Sequence, residues 1–198
     1  MKASETAIIL IEFQNDFCNP EGKLFALVQN ELARNQTIIH AKKLLDEARR
    51  KGCQIIHCPF TLDKKWIEAN HSVGILEGLY DNDIFSPGNW GHQIIDELAP
   101  WENEIVLEGK RGLSAFSHTN LAQILHFRKI KNVIIAGFLT NICVQATAWS
   151  AYDLGYNVRL IPEACCAASQ EIQDYVETQI CPTLGGALTV EELISALN

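Results

Sequence analysis

The chain has 198 residues, 47% of them apolar, with 16 basic against 24 acidic side chains and a net charge of −8. That length and apolar content fill one well-covered core, and the acidic balance, with no basic cluster beyond Lys64-Lys65 and Lys129-Ile130-Lys131, argues against nucleic acid or an anionic membrane surface as a partner. Seven cysteines, an odd number scattered from residue 18 to 181 without regular spacing, argue against a disulfide framework.

The first six residues run straight into an apolar segment broken by Glu12, without the apolar core and cleavage site of a signal peptide, so the expectation is a cytoplasmic protein with reduced thiols. Five short runs rich in branched apolar residues read as strands: 7–13, 54–58, 104–107, 132–136 and 157–161. Helical spacing separates them, as in Ile38, Leu44, Leu45 and Ala48 before Gly52, and in Leu121, Ile124, Leu125 and Phe127 before the fourth strand. Such alternation means a mostly parallel sheet covered on both faces: a Rossmann-like, three-layer α/β/α sandwich of about six strands, in a single domain over residues 1–198. Residues 61–90 form a long mixed segment holding Trp66, His71, Pro87 and Trp90, which reads as a lid or an oligomer contact with short helices at best. Thr189-Val190-Glu191-Glu192 is a capping-box pattern that opens a last short helix.

Right-handed crossovers place all strand carboxyl ends on one edge, where open α/β sheets bind their ligands. Glu12, Cys58, Lys110 and Cys143 fall at or just beyond those ends. Cys143 sits in a stretch that reads as a strand, a tight turn and a helix, with the thiol in the first helical turn. The unpaired N–H groups of a helix start carry partial positive charge, so a cysteine there is expected to be more thiolate-like than its free value of roughly 8.5 implies. A thiol attacking an amide carbonyl also needs a base, a cation and N–H donors for the oxyanion, and Glu12 and Lys110 are candidates for the first two. Taken singly, each residue has a plainer explanation: a small buried hydrophobe, a strand-end carboxylate bonded to backbone, a solvated surface charge. Their joint placement on one edge favours chemistry. His57-Cys58 and the tandem Cys165-Cys166 lack the partners that would complete four zinc ligands, which leaves core packing. Arg111 offers either a bidentate contact to a substrate carboxylate or a surface ion pair, and Trp149 a packing or subunit contact.

Four ordered motifs carry a further signal: Glu12 followed by Gln14 and Asp16-Phe17, the spacing from Lys110 to Ser114-Ala115-Phe116, the turn Gly137-x-x-Thr140-x-x-Cys143, and the helix end at 151–156. Together, over nearly the whole chain, they resemble the isochorismatase-like cysteine hydrolases, a family that includes nicotinamidases, N-carbamoyl amino acid amidohydrolases and ureidoacrylate-type amidohydrolases. The resemblance implies Glu12 as general acid/base, Lys110 as the cation, Cys143 as the nucleophile, and an oxyanion hole of the Leu139 and Cys143 amides with a cis bond between Phe138 and Leu139. It further implies a small amide or ureido substrate, no cofactor, and a homo-oligomer, dimer or tetramer. Phe17 and Phe116, tied to these motifs, and Trp90 and His71 in the long segment are the candidate substrate-binding residues. No metal is expected, because the Asp-x-His pair of the family's nicotinamidases is replaced here by His57 within 56–60.

Two carboxylates depart from the family pattern, Glu12 and Glu163 standing where Asp is usual. The extra methylene at Glu12 means either a pocket rebuilt around it or reduced activity. Two other readings stay open: the acid-catalysed vinyl-ether hydrolysis of isochorismatase, which needs a carboxylate and no thiol, and a catalytically silent member that binds a metabolite or a partner protein.

Overall fold

A computed structural model describes residues 1–198. Five parallel strands form one sheet: β1 (Thr6–Ile11), β2 (Gln54–Cys58), β3 (Ile105–Val106), β4 (Asn132–Phe138) and β5 (Asn157–Cys166), in the order β3-β2-β1-β4-β5. Every residue of β1 and β4 is buried, which is why these runs are apolar without alternation. Nine α-helices surround the sheet: α1 (Asn15–Cys18), α2 (Phe25–Arg34), α3 (Thr37–Lys51), α4 (Lys64–Ala69), α5 (Ile75–Asp81), α6 (Leu121–Phe127), α7 (Gln145–Asp153), α8 (Gln170–Tyr175) and α9 (Val190–Ala196). The buried apolar side chains form one contiguous cluster.

The chain builds outward from β1 to β3, then crosses back to β4 and β5. That reversal, with right-handed crossovers, sets α3 on one face, packed against α2 and α9, and α6 and α7 on the other. The switch point falls between β1 and β4, whose carboxyl ends lie side by side, Ile11 opposite Gly137. No Cβ is tolerated there. Gly137 has φ +134°, and an added Cβ would lie 2.0 Å from the Ile11 carbonyl oxygen.

The expected sixth strand is a single bridge. Ala187 pairs with Leu160, and Leu188 donates to the Leu160 carbonyl at 3.0 Å. Gly185 and Gly186 just before it both have positive φ, and α9 starts immediately after, so no extended run has room to form. The capping box is present: the Glu192 N–H donates to Thr189 Oγ1 at 3.1 Å and the Thr189 N–H to Glu192 Oε2 at 2.8 Å. Glu163, on β5, accepts from the Val190 N–H at 2.6 Å and so serves the start of α9. Residues 61–90 contain two short helices, α4 and α5, and fold over the carboxyl edge as a cap. No helix is long and apolar enough to cross a membrane.

The short edge strand β3 is held by a buried polar cluster. Glu104 accepts from Arg49 Nε and Nη2 at 2.7 and 2.8 Å and from the Trp101 N–H at 2.9 Å, and meets His57 Nε2 at 3.0 Å. Burial alone raises the Glu104 carboxyl, but Arg49, the Trp101 N–H and His57 together bring it down to about 2. Burial holds His57 below the usual histidine range against the opposing pull of Glu104.

Two stability tests follow from these contacts. Gly137→Ala should cost at least ~3 kcal/mol and lower Tm by roughly 6–12 °C in a thermal melt, through the clash with Ile11 and the positive φ. Glu104→Gln should remove up to about 3 kcal/mol at neutral pH, a ceiling from the depressed pKa. Because the folded-state value is depressed, the wild-type advantage is complete above the unfolded value of about 4.3 and disappears as pH falls toward 2. Tm differences measured between pH 7 and pH 2.5 should therefore converge.

Candidate active site

Glu12 follows the last residue of β1 with φ +58°, a left-handed conformation that costs a non-glycine residue roughly 1–3 kcal/mol and persists only where the surroundings enforce it. They do so here through two backbone bonds, from the Glu12 N–H to Cys58 O at 3.1 Å and from the Gln14 N–H to Glu12 O at 2.7 Å. The turn aims a buried carboxylate, 3% exposed, at the cap side of the sheet. There it meets Lys110, whose Nζ donates to Glu12 Oε1 and to Gly112 O at 3.0 Å, and lies 5.1 Å from the centroid of the Phe60 ring. Lys110 has no solvent exposure at all, yet its ammonium is favoured. Burial is the largest influence and opposes the charge, but Glu12 together with the neighbouring Cys143 and Cys58 outweighs it and holds the pKa above the usual lysine range. The longer carboxylate thus reaches its lysine.

Cys143 approaches from β4. Residues Thr140–Val144 form one turn of π-helix leading into α7, with the Gln145 N–H reaching back five residues to Thr140 O, a geometry common at functional sites. Thr140 Oγ1 is bonded to the buried Gln173 at 2.7 Å, which locks the turn. Farther along, Thr147 Oγ1 donates to Cys143 O at 2.7 Å and accepts from the Ala115 N–H at 2.9 Å, while Ser114 Oγ bonds Ser150 Oγ at 2.9 Å. The Ser114-Ala115 motif therefore ties the Lys110 loop to the Cys143 helix.

The thiol faces both Glu12 and Lys110, and its ionisation runs opposite to the expectation from the helix start. Burial is the main cause, the negative Glu12 adds to it, and Lys110 only partly opposes them, so the Cys143 pKa lies well above that of a free thiol. The thiol is thus protonated at rest, while Lys110 keeps its charge. Cys58, near the same pair, is fully buried and pushed up to about 12. Of the seven cysteines, all unpaired, Cys143 is the one that opens onto a cavity of about 270 Å³.

Glu12, Cys143 and Leu139 line that cavity together with Phe17, and its walls come mostly from aliphatic side chains of the α2 region and the cap, including Leu24, Leu27, Ile75 and Leu79. Sequence reasoning missed these, since apolar residues in an amphipathic helix carry no sign of which cavity they face. Three expected wall residues lie elsewhere. Phe116 packs on the rim of the core after a tight turn at Ser114, leaving Leu113 to face the cavity. Trp90 is 43% exposed, with its carbonyl held by Asn15 Nδ2 at 3.0 Å, and His71 is exposed at positive φ after α4.

The Leu139 N–H donates to no acceptor in the protein, and Leu139 lines the same cavity as Cys143. The expected cis bond before it is absent: every peptide is trans, and Leu139 has ordinary extended dihedrals, so the turn into the π-helical segment is made without it. Arg111 points away from the cavity to Asp63 at 2.8 Å, which caps α4. At 56–60, His57 uses Nε2 on Glu104, and no three His, Cys, Asp or Glu side chains are arranged to hold a metal ion, so the residues present do not fit a metal centre.

Comparisons with known proteins agree on one family. The model described as the isochorismatase domain matches residues 6–192. Ureidoacrylate amidohydrolase RutB of Rhizobium rhizogenes strain K84 is similar, with 31% identity over 169 residues, 79% of this chain and 68% of that protein. Among solved structures, pyrazinamidase/nicotinamidase from Streptococcus mutans UA159 has 26% identity and a TM-score of 0.74 over 92% of this chain and 99% of that one. A cysteine hydrolase from Pseudomonas syringae pv. phaseolicola 1448A shares the fold, with a TM-score of 0.86, 24% identity, and 98% of this chain against 93% of that one covered.

The charge arrangement has a measurable consequence. The rate of Cys143 alkylation by iodoacetamide, followed by peptide mass spectrometry, should rise with pH around a midpoint above the free-thiol value of about 8.5. Glu12→Gln should move that midpoint down, because it removes a negative charge and frees Lys110 to face the thiolate.

Proposed function

This chain belongs to the isochorismatase family, and from that premise we propose how it acts as a hydrolase: Cys143 cleaves the C–N bond of a small amide or carbamoyl substrate through a thioester. The observation that carries this reading is the meeting of a buried carboxylate–ammonium pair, a thiol and an unused backbone N–H on one apolar cavity.

Glu12 takes the thiol proton as Sγ attacks the carbonyl carbon, so the raised thiol pKa costs nothing at rest and the nucleophile forms only with substrate in place. Lys110 stays charged throughout and compensates the negative charge passing from carboxylate to sulfur to carbonyl oxygen. The Leu139 and Cys143 amides receive the tetrahedral oxyanion. Glu12 then protonates the departing amine, and on the way back deprotonates the water that breaks the C–S bond. The ureidoacrylate named for the similar amidohydrolases and the pyrazinamide and nicotinamide named for the similar solved structure all contain a C–N bond of this kind.

The same reading takes residues 1–198 as one domain, in the cytoplasm, assembled as a dimer or tetramer. The exposed Trp149 and Tyr152, packed edge to face at the outer side of α7, support a subunit contact there. A catalytically silent member has less support, because a binding pocket has no use for a thiol beside a buried charge pair.

Cys143→Ala should abolish amide turnover, and Glu12→Gln and Lys110→Ala should each lower kcat by about 10²–10⁴-fold, read as ammonia release with folding checked by circular dichroism. Amide turnover that survives loss of the thiol would exclude the thioester route; the carboxylate-dependent vinyl-ether hydrolysis is favoured instead if a vinyl ether, and no amide, is turned over with or without Cys143.

A further inference from the structure

The cavity that holds Cys143 has an unusual charge balance for an enzyme whose similar relatives are named for an acid substrate. Its walls are Phe17, Phe85, Leu24, Leu79, Ile84, Ile142 and other apolar groups. No lysine, arginine or histidine lines it, and its one charged group is the Glu12 carboxylate. The basic side chains around it are committed elsewhere. Lys110 is enclosed by Glu12, Gly112 and Phe60; Arg111 is turned to Asp63; Lys23 Nζ donates to the carbonyls of Asn82 and Asp83 at 3.0 and 2.8 Å. Asn82, the single uncharged polar side chain on the wall, already donates Nδ2 to Gly78 O at 2.9 Å.

We propose that this site takes neutral primary amides with an apolar acyl group, branched aliphatic or aromatic, and excludes substrates that carry a carboxylate on that group. The inference rests on the amidase reading above and narrows it to a substrate class. A carboxylate on the acyl group would lose its water, find no free cation in exchange and no donor but the Leu139 N–H that the reacting carbonyl needs, and lie near the negative Glu12. An apolar acyl group of a size to fill about 270 Å³ meets only favourable surface.

The chemistry is consistent with that choice at both ends. As the Sγ–C bond forms and the C–N bond breaks, the nitrogen leaves as ammonia with the proton held by Glu12. Water then replaces sulfur, and the acid product ionises. The product carboxylate forms at the reacting carbon, next to the Glu12 carboxylate, and repulsion between the two favours its release.

The test compares matched reagents on the intact protein. Ammonia release is measured for isovaleramide and for succinamate, which are similar in size but differ by one charge, and for 3-ureidoacrylate. In parallel, Cys143 alkylation is measured with neutral iodoacetamide and anionic iodoacetate, each rate divided by that of free cysteine with the same reagent. The expected result is a kcat/KM roughly a hundredfold or more higher for isovaleramide, with the same sense of preference in alkylation. Leu27→Arg, which places a cation at the half-exposed mouth of the cavity, should narrow the ratio about tenfold by raising succinamate turnover. Equal or preferred turnover of succinamate or ureidoacrylate, with Cys143 still alkylated, would overturn the substrate class and leave the amidase reading standing. No ammonia from any amide together with an inert Cys143 would sink the amidase reading, and this inference with it.

Discussion

Lys110 carries its charge at a position cut off from water, and much of the carboxyl edge is organised to make that possible. Stripping an ammonium of solvent costs several kcal/mol even after relaxation, and removing one partner of such a pair leaves the other charge stranded. The pair can therefore exist only if three separate pieces of chain close together: the left-handed turn after β1, the loop after β3, and the loop that carries Phe60. Gln14 fastens the first piece to the third by bonding both the N–H and the carbonyl of Phe60, at 2.7 and 2.9 Å. The Thr61 N–H closes the set by donating to Lys110 O at 2.9 Å. A backbone strain at Glu12 and a buried charge at Lys110 are thus two parts of one construction.

Cys143 is attached to this construction from the other side of the switch point. Thr147 reaches from α7 to the Cys143 carbonyl and to the Ala115 amide, so the distance between thiol and cation is set by a hydroxyl that never faces the cavity. Keeping the resting charge on the carboxylate rather than on sulfur has a chemical logic. A buried thiolate among aromatic rings would be poorly solvated and open to oxidation, whereas a thiol next to an ionised carboxylate becomes reactive when a carbonyl arrives to accept the electrons.

The cap is anchored by the residues that follow Glu12. Asp16 accepts from the Phe85 N–H at 2.8 Å and the Lys23 N–H at 3.3 Å, Gln14 also holds His92 O at 2.8 Å, and Asn15 holds Trp90 O. Phe17 stacks on Phe138 with ring centroids 5.0 Å apart and meets Phe85 at 5.4 Å, joining the cap to β4. Residues that read in the sequence as part of a catalytic motif are therefore, apart from Glu12 itself, the straps that hold the roof of the cavity over the thiol.

Much of the framework was legible in the residues themselves. The continuous apolar runs of β1 and β4, the Gly52 stop after α3 and the Thr189 box at α9 each report a local requirement, and the alternation of strand and helix then leaves few topologies to consider. The order of carboxylate, lysine and cysteine along one sheet edge was legible for the same reason, since strand ends can be counted. The sixth strand was overestimated because Gly185 and Gly186 and the start of α9 compete for the same few residues.

What only the tertiary structure decided was everything that depends on which side chains share a space. Nearness to a motif pointed to Phe116, and a place in the long segment to Trp90 and His71, but much of the wall came from α2 and α5, whose aliphatic residues look the same in sequence whether they face a core or a cavity. The direction of the Cys143 shift was misread in the same way: a helix start favours the thiolate, yet burial and Glu12 outweigh it. The chain's pattern determines the elements and their order because those obey short-range periodicity. Cavity shape, charge balance and ionisation arise from distant residues brought together by folding, and they are sums over contacts that no local pattern contains.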